Sequence, residues 1–423
     1  MKKIFLFFLL ILPAWLISAP NDTIPEKKNK KEKKVYLMIL PAIASNPTNG
    51  LLYGAAASAT WYMGPPESTH LSEAMASIIY TTKKQSINLI KSNLFLENDS
   101  WILKGDWRVF FSSAPTYGLG TGPQSAKPVG TGIKYQDNIF SEPIPDAQMM
   151  EFDLIRLHET VLKRIGDSRF FAGLGYHLDY HYNIRDNLLD LDTTPPVITS
   201  HYGYSSKYGF DPERYFLSGI SLNGLYDSRD NPVFPTDGRY AFLSLHMNPE
   251  FLGSTKNSTM LWLEYRDYFN LSQKRPRHLI AVWFFGHFVT SGDVPYMDLP
   301  ASGWDQFGKS ARAYTQGRFR GKELLYVETE YRFPIPIIKK YPDLLGGVAF
   351  INATTASNHE KYHDPNSNTD LSADIDLFEY VDPGFGIGLR VMVVKKSKAC
   401  ITLDYAWGKY GAQGFWFGMN ETF

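Results

Sequence analysis

The chain has 423 residues, with 43 Lys plus Arg balanced by 43 Asp plus Glu and a single cysteine, Cys400. One cysteine excludes an internal disulfide framework and a Cys-rich zinc site. A net charge of zero argues against nucleic acid as a partner, because phosphate binding needs a basic face. Hydrophobic residues at 44% exclude a wholly disordered chain but leave two or three soluble domains or one large barrel equally open.

Lys2 and Lys3 precede an apolar run from Ile4 to Ile17, followed by Ser18 and Ala19. A basic start, a short apolar run and small residues after it read as a cleaved export signal over 1–19. The run is too short for a bilayer helix, which needs roughly 20 apolar residues. Residues 20–34 are polar and Lys-rich, and read as a solvated periplasmic linker. Residues 1–34 carry eight Lys and three acids, so the charge there is +5 and the remainder carries −5. The folded part is expected over 35–423.

From residue 35 the recurring signal is period-two alternation. In Phe170–Tyr182, even positions hold Phe, Ala, Leu, Tyr, Leu, Tyr and Tyr, whereas odd ones hold Phe171, Gly173, Gly175, His177, Asp179 and His181. Val327, Thr329, Tyr331 and Phe333 alternate with Glu328, Glu330 and Arg332. Phe385, Ile387, Leu389, Val391 and Val393 alternate with Gly386, Gly388, Arg390 and Met392, and Ile401, Leu403, Tyr405 and Trp407 with Thr402, Asp404, Ala406 and Gly408. Successive strand side chains point to opposite faces. Segments of about 10–14 residues exceed the usual soluble strand and suit tilted membrane strands.

Sixteen such segments can be placed, near 35–45, 51–63, 69–82, 85–97, 100–113, 149–165, 168–183, 213–226, 238–251, 258–271, 278–290, 323–335, 343–356, 383–396, 399–408 and 411–423. If the first strand starts in the periplasm, the short links, such as Gly64-Pro65-Pro66, Glu97-Asn98-Asp99 and Lys395-Lys396-Ser397-Lys398, fall on the periplasmic side. The long links, 114–148, 184–212, 291–322 and 357–382, all fall outside. The expectation is an all-β fold, a 16-stranded antiparallel transmembrane β-barrel made of one closed sheet, with short periplasmic turns and long extracellular loops.

Asp227-Ser228-Arg229-Asp230-Asn231-Pro232-Val233-Phe234-Pro235-Thr236-Asp237-Gly238 reads as a turn that fixes itself, since Asp and Asn cap local backbone, Pro sets φ and Gly permits positive φ. It resembles the Asp-x-Arg-Asp-Asn…Pro-x-x-Gly turn of BamA/TamA-type outer-membrane barrels, the bacterial surface antigen superfamily. Arg312-Ala313-Tyr314, with Arg318 and then Glu330-Tyr331-Arg332-Phe333-Pro334, is similar to that family's Arg-Gly-Tyr/Phe motif on the sixth extracellular loop. The resemblance implies a loop folded into the lumen, its Arg312 engaging acids on the wall. Glu328 and Glu330 are the candidate partners. Two departures stand out. Ala313 replaces the glycine, so a positive φ there would be strained. Asn352, in Phe350-Ile351-Asn352-Ala353-Thr354, replaces an aspartate and cannot offer charge. Gly414–Phe423 resembles the family's closing strand, which makes Phe415, Phe417 and Phe423 a candidate assembly signal. The resemblance covers most of 35–423 and finds nothing ahead of it that matches the family's POTRA domains.

The family mechanism implies a weak seam between first and last strands, and Pro41, lacking an N–H, suits a loosely paired seam or simply bends the chain entry. His177, Asp179 and His181 share a strand face, but alternate residues stand about 7 Å apart, so polar lumen residues are the better reading than a metal site. No Gly-x-Ser-x-Gly elbow and no phosphate-binding loop occurs, so no enzyme activity or cofactor is expected. The resemblance implies an outer-membrane protein that assists insertion, assembly or translocation of outer-membrane proteins or lipids. Its partners would be membrane lipid, client barrels or accessory subunits. A transport pore gated by 291–322, or a surface scaffold, is the alternative.

Overall fold

Every alternating segment becomes a strand of one antiparallel sheet in the computed structural model, which describes residues 35–46, 50–123, 134–136, 139–140, 144, 147–272, 274–275, 277–338, 340–359, 361–363, 370–372, 375–394 and 398–423. The sixteen strands are β1 (Tyr36–Asn46), β2 (Gly50–Trp61), β3 (Ser72–Thr81), β4 (Ser86–Phe95), β5 (Trp101–Thr116), β6 (Gln148–Arg164), β7 (Phe170–Asp186) and β8 (Tyr215–Asp227), followed by β9 (Gly238–Asn248), β10 (Ser258–Asn270), β11 (Leu279–Gly292), β12 (Glu323–Pro334), β13 (Leu345–Ala356), β14 (Asp382–Val394), β15 (Ala399–Gly408) and β16 (Gln413–Met419). Each pairs with its neighbour in chain order, so the sheet is an up-and-down meander of the barrel type. The expected export signal and linker, 1–34, and most of the turn at 395–398 lie outside the described residues.

Polarity is inverted relative to a soluble sandwich. On β14, Phe385, Ile387 and Leu389 are 54%, 59% and 52% exposed, while Arg390 is 2% exposed. On β12, Val327 and Tyr331 face outward while Glu328 and Glu330 are fully buried. On β7, Leu174 faces outward, whereas Asp179 and His181 are buried. An apolar exterior around a polar interior is what a barrel needs when its solvent is lipid.

The links sort by length. One end carries 62–71, 96–100, 165–169, 228–237, 271–278 and 335–344; the other carries the long segments 117–147, 187–214, 293–322 and 357–381. The segment 187–214 also holds a helix not expected from the alternation, α1 (Ser200–Tyr208). It starts at Thr199, whose hydroxyl accepts from Tyr202 N, and stops at Gly209 with φ +64°.

Two expectations need correction. The closing strand ends at Met419, not Phe423; Asn420 adopts φ +63° and the chain turns inward. The sheet is also not closed by hydrogen bonds, because β1 and β16 share no ladder among the described residues. They meet through side chains, with Met38 and Leu40 of β1 packing on Met419. The shortness of β16 is the physical reason: seven residues in ladder register with β15, then a left-handed residue, leave little edge to pair.

Ile387→Arg tests the polarity. In lipid vesicles it is expected to destabilise the barrel by roughly 2–4 kcal/mol, as read from urea unfolding. The same change at an equally exposed position of a soluble protein would cost at most about 0.5 kcal/mol.

Candidate functional site

The segment 293–322 leaves β11 and returns inside the barrel. Val294, Tyr296, Met297, Leu299, Ala311, Arg312, Tyr314 and Phe319 are all buried. Its path crosses from one wall to the other. On the near wall, Arg108 of β5 donates Nη2 to the carbonyls of Asp305 (3.2 Å) and Gln306 (3.3 Å). Gln306 Nε2 in turn donates to the carbonyls of Gly105 (3.1 Å) and Ser92 (3.3 Å). Asp305 then builds a tight turn, its carboxylate accepting from Ser310 N (2.9 Å), Ser310 Oγ (2.6 Å) and Lys309 N (3.0 Å).

That turn delivers Arg312 to the far wall. Its guanidinium donates to Glu328 Oε1 at 2.6 Å, to Asp404 Oδ2 at 2.5 Å and to Glu330 Oε1, and its Cζ stands 3.6 Å from the centre of the Phe350 ring. Only 3% of the Arg312 side chain is exposed, and Glu328 and Glu330 are fully buried. Arg332 and Arg390 complete the cluster. Arg332 Nε donates to Glu330 Oε2 (2.6 Å), and Arg390 binds Asp404 Oδ1 (2.5 Å) and Glu421 Oε2 (2.8 Å). Three guanidiniums thus face four carboxylates, and Tyr326 donates its hydroxyl to Glu328 at 2.6 Å. In a site shielded from water such a set holds only while each charge keeps its partner.

The two sequence departures have definite structural outcomes. Ala313 adopts φ +112°, a backbone that favours glycine. Asn352 takes no charged role; its Nδ2 donates to the Arg312 carbonyl (3.0 Å) and to Glu328 Oε2 (3.2 Å), so it holds the loop backbone. Tyr314 Oη donates to Pro383 O (2.5 Å) and accepts from Lys409 N (2.9 Å). Arg318 stands apart from the acids, with its Cζ 3.9 Å from the Tyr117 ring. Asp404 and Arg390 belong to no motif of the sequence, although each falls on the polar side of an alternating strand, as does Arg332 in the Glu330–Pro334 stretch. Glu421 carried no such signal.

The segment 227–238 does more than turn. As expected, Asp230 and Asn231 cap local backbone: Asp230 Oδ1 accepts from Thr236 N (2.8 Å) and Asn231 Oδ1 from Val233 N (2.8 Å). Gly238 has φ +95°, and a Cβ there would run into the Ser228 carbonyl. Arg229 forms a two-point pair with Asp227 (2.9 and 2.6 Å). Val233 and Phe234, however, are 3% exposed, and Phe234 lies 4.8 Å from the Arg277 guanidinium of the 271–278 link, so the segment folds into the short-turn end of the lumen instead of projecting as a surface turn. Pro235 is buried with it. His70 ties this end together. Its Nδ1 meets Asp99 Oδ2 at 2.5 Å and its Nε2 meets the Arg229 carbonyl at 2.7 Å. Burial pulls the His70 pKa down, but the Asp99 hydrogen bond and charge outweigh it, so the pKa is raised.

Phe415 and Phe417 face outward at 53% and 52% exposure. Phe423 does not; it is 3% exposed and packs 5.3 Å from Trp283. Pro41 lies mid-strand in β1, opposite Ala55 and facing outward. His177, Asp179 and His181 go to separate partners: Ser221 Oγ (2.7 Å), the Arg156–His158 pair, and Asp298 (3.3 Å). A cavity of about 200 Å³ remains between the loop at Trp304–Phe307 and the wall at His158, His246 and His287. A second, of about 1250 Å³, opens at the short-turn end beside His70 and Arg229.

Residues 165–423 match the Omp85 superfamily domain. No curated protein matches the sequence. Among solved structures, BamA from Haemophilus ducreyi lacking POTRA domains 1–3 is similar over 93% of this chain and 70% of that one, at 16% identity and a TM-score of 0.55. CdiB from Acinetobacter baumannii covers 91% of this chain, which spans 59% of CdiB, at 11% identity and a TM-score of 0.49. At such identity the likeness to BamA concerns the fold.

Two outcomes follow from the geometry. Ala313→Gly is expected to stabilise the folded barrel by about 1 kcal/mol in urea titrations, because it removes a Cβ from a backbone that disfavours one. His70 contributes stability fully below its unfolded pKa of about 6.5 and loses it as pH rises through its raised folded value. The urea midpoint is therefore expected to fall between about pH 6 and 8 in the parent, and His70→Ala is expected to flatten that fall.

Proposed function

The chain belongs to the Omp85 superfamily, and on that premise we propose that it is an integral outer-membrane barrel assisting the insertion, assembly or translocation of outer-membrane proteins or lipids. The observation that carries this reading is the unladdered meeting of β1 and β16. An open edge presents N–H and C=O groups able to pair with a further strand, which a closed pore has no use for. Pro41 supports it, since a residue without an N–H lowers the number of bonds β1 can make. On this reading the short-turn end is periplasmic, residues 1–19 direct export, and the partners are lipid, client barrels and accessory subunits. The inward loop 293–322 is then the sixth extracellular loop, locked through Arg312.

The second reading, a channel gated by that loop, draws on the polar lumen, which holds a cavity of about 200 Å³, and on a cavity of about 1250 Å³ that opens at the short-turn end. Depletion with profiling of outer-membrane protein levels separates them, with conductance as the check. The assembly role is expected to lower the amounts of other barrels, and unchanged levels of all of them would overturn it. In planar bilayers the plugged lumen is expected to conduct little until Arg312→Ala raises the current; large, steady conductance of the unaltered protein would favour the channel.

A further inference from the structure

Beyond Met419 the chain could have continued β16 along β15, since Cys400 and Ala399 stand next in register. Instead Asn420–Phe423 turns into the lumen, where Glu421 and Phe423 are 5% and 3% exposed. Polar and aromatic contacts hold it there. Glu421 takes the Arg390 guanidinium at 2.8 Å, and Arg332 Nη2 donates to the Phe423 carbonyl at 2.9 Å. The Phe423 ring packs on Trp283 (5.3 Å) and Tyr268 (6.3 Å). Asn420 Nδ2 reaches Glu73 of β3 at 3.4 Å, on the other side of the seam.

The loop grips the same tail. Lys309 Nζ donates to the carbonyls of Met419 (3.1 Å), Asn420 (3.5 Å) and Glu421 (2.5 Å). Arg312 touches no tail residue, yet it shares partners with it: Glu330 is held by both Arg312 and Arg332, and Asp404 by both Arg312 and Arg390. Arg332 and Arg390 are the wall arginines that bind the tail. Of the four carboxylates in the cluster, Glu421 alone lies off the strands. If the loop withdraws, two cations leave, and Glu328, Glu330 and Asp404 cannot move away from the resulting excess of buried negative charge. Glu421 can, because Arg332 and Arg390 are then drawn towards Glu330 and Asp404, which have lost Arg312, and their hold on Glu421 weakens.

We propose that residues 420–423 form a latch that couples the lumenal loop to the edge of β16. Withdrawal of the loop releases the tail, and the released tail extends β16 by two residues, opposite Cys400 and Ala399, enlarging the edge open to an extended strand of a client chain. The client end of this statement rests on the assembly reading above; the coupling itself does not.

Cys400 provides the readout. It is the sole cysteine, it is fully buried, and its Sγ lies 3.9 Å from Glu421 Oε1. The test measures maleimide labelling of the full chain in detergent and in liposomes, with heat-modifiable gel mobility confirming that each variant is folded. The parent is expected to label slowly, and a chain ended after Met419 rapidly. Lys309→Met and Arg312→Ala are each expected to raise the rate by roughly tenfold or more, because both shift the local opening equilibrium. Asp179→Asn, which breaks a lumenal ion pair outside the latch, should leave the rate unchanged. Folded Arg312→Ala labelling at the parent rate would overturn the coupling, and so would equal rates for the parent and the chain ended at Met419. Where Arg312→Ala does not fold, Arg312→Lys takes its place with the same two outcomes. No client is needed, so a failed latch leaves the depletion experiment to judge the assembly role separately.

Discussion

The buried guanidinium of Arg312 is the constraint on which the interior depends. A barrel in lipid turns its apolar side chains outward, which forces the polar positions of every strand into one enclosed space. Glu328, Glu330 and Asp404 converge there from β12 and β15, and unneutralised carboxylates cannot remain close together away from water. Arg332 and Arg390 offset part of that charge; Arg312 offsets more, and it arrives on a segment that is not a strand. The loop is therefore part of the electrostatic balance of the wall and not an ornament of the rim.

The same balance explains why the lumen is filled from both ends. From the long-loop end, 293–322 is anchored on β5 by Arg108 and on β12 and β15 by Arg312. From the short-turn end, 228–237 inserts Phe234 under Arg277 while His70 binds the Arg229 carbonyl. Both inward segments use side chains to satisfy backbone groups, which is required wherever irregular chain is removed from solvent. Asp305 does this for one, Asp230 and Asn231 for the other.

Strain and openness sit beside this machinery. Ala313 holds φ +112° next to Arg312, and Asn420 holds φ +63° where the tail leaves β16. Backbone of this kind persists only when surrounding contacts over-determine it. Around Ala313 those contacts are the Arg312 cluster and the Asn352 bond to the Arg312 carbonyl; around Asn420 they are Lys309, Arg390 and Glu73. The seam between β1 and β16 is correspondingly thin, with Met38, Leu40 and Met419 packed together where other neighbours share a ladder among the described residues.

Much of this architecture was legible in the residues. Period-two alternation identified all sixteen strands to within a few residues, because a strand with one face in lipid and one in a polar lumen must alternate strictly. It also placed Glu328 and Glu330 on the inner face, and local capping chemistry marked Asp230, Asn231 and Gly238 as a turn. Alternation says which face a side chain takes, but not what crosses the space that face encloses. That Asp404 joins Glu328 and Glu330 around Arg312, that Phe234 and Phe423 point inward, and that Glu421 shares Arg390 with Asp404 depend on the curl of the sheet bringing residues from distant strands together. The sequence by itself determined the strands, their faces and their order. The tertiary structure alone decided which buried charges meet, because pairing across a lumen follows from three-dimensional closure and leaves no periodic trace along the chain.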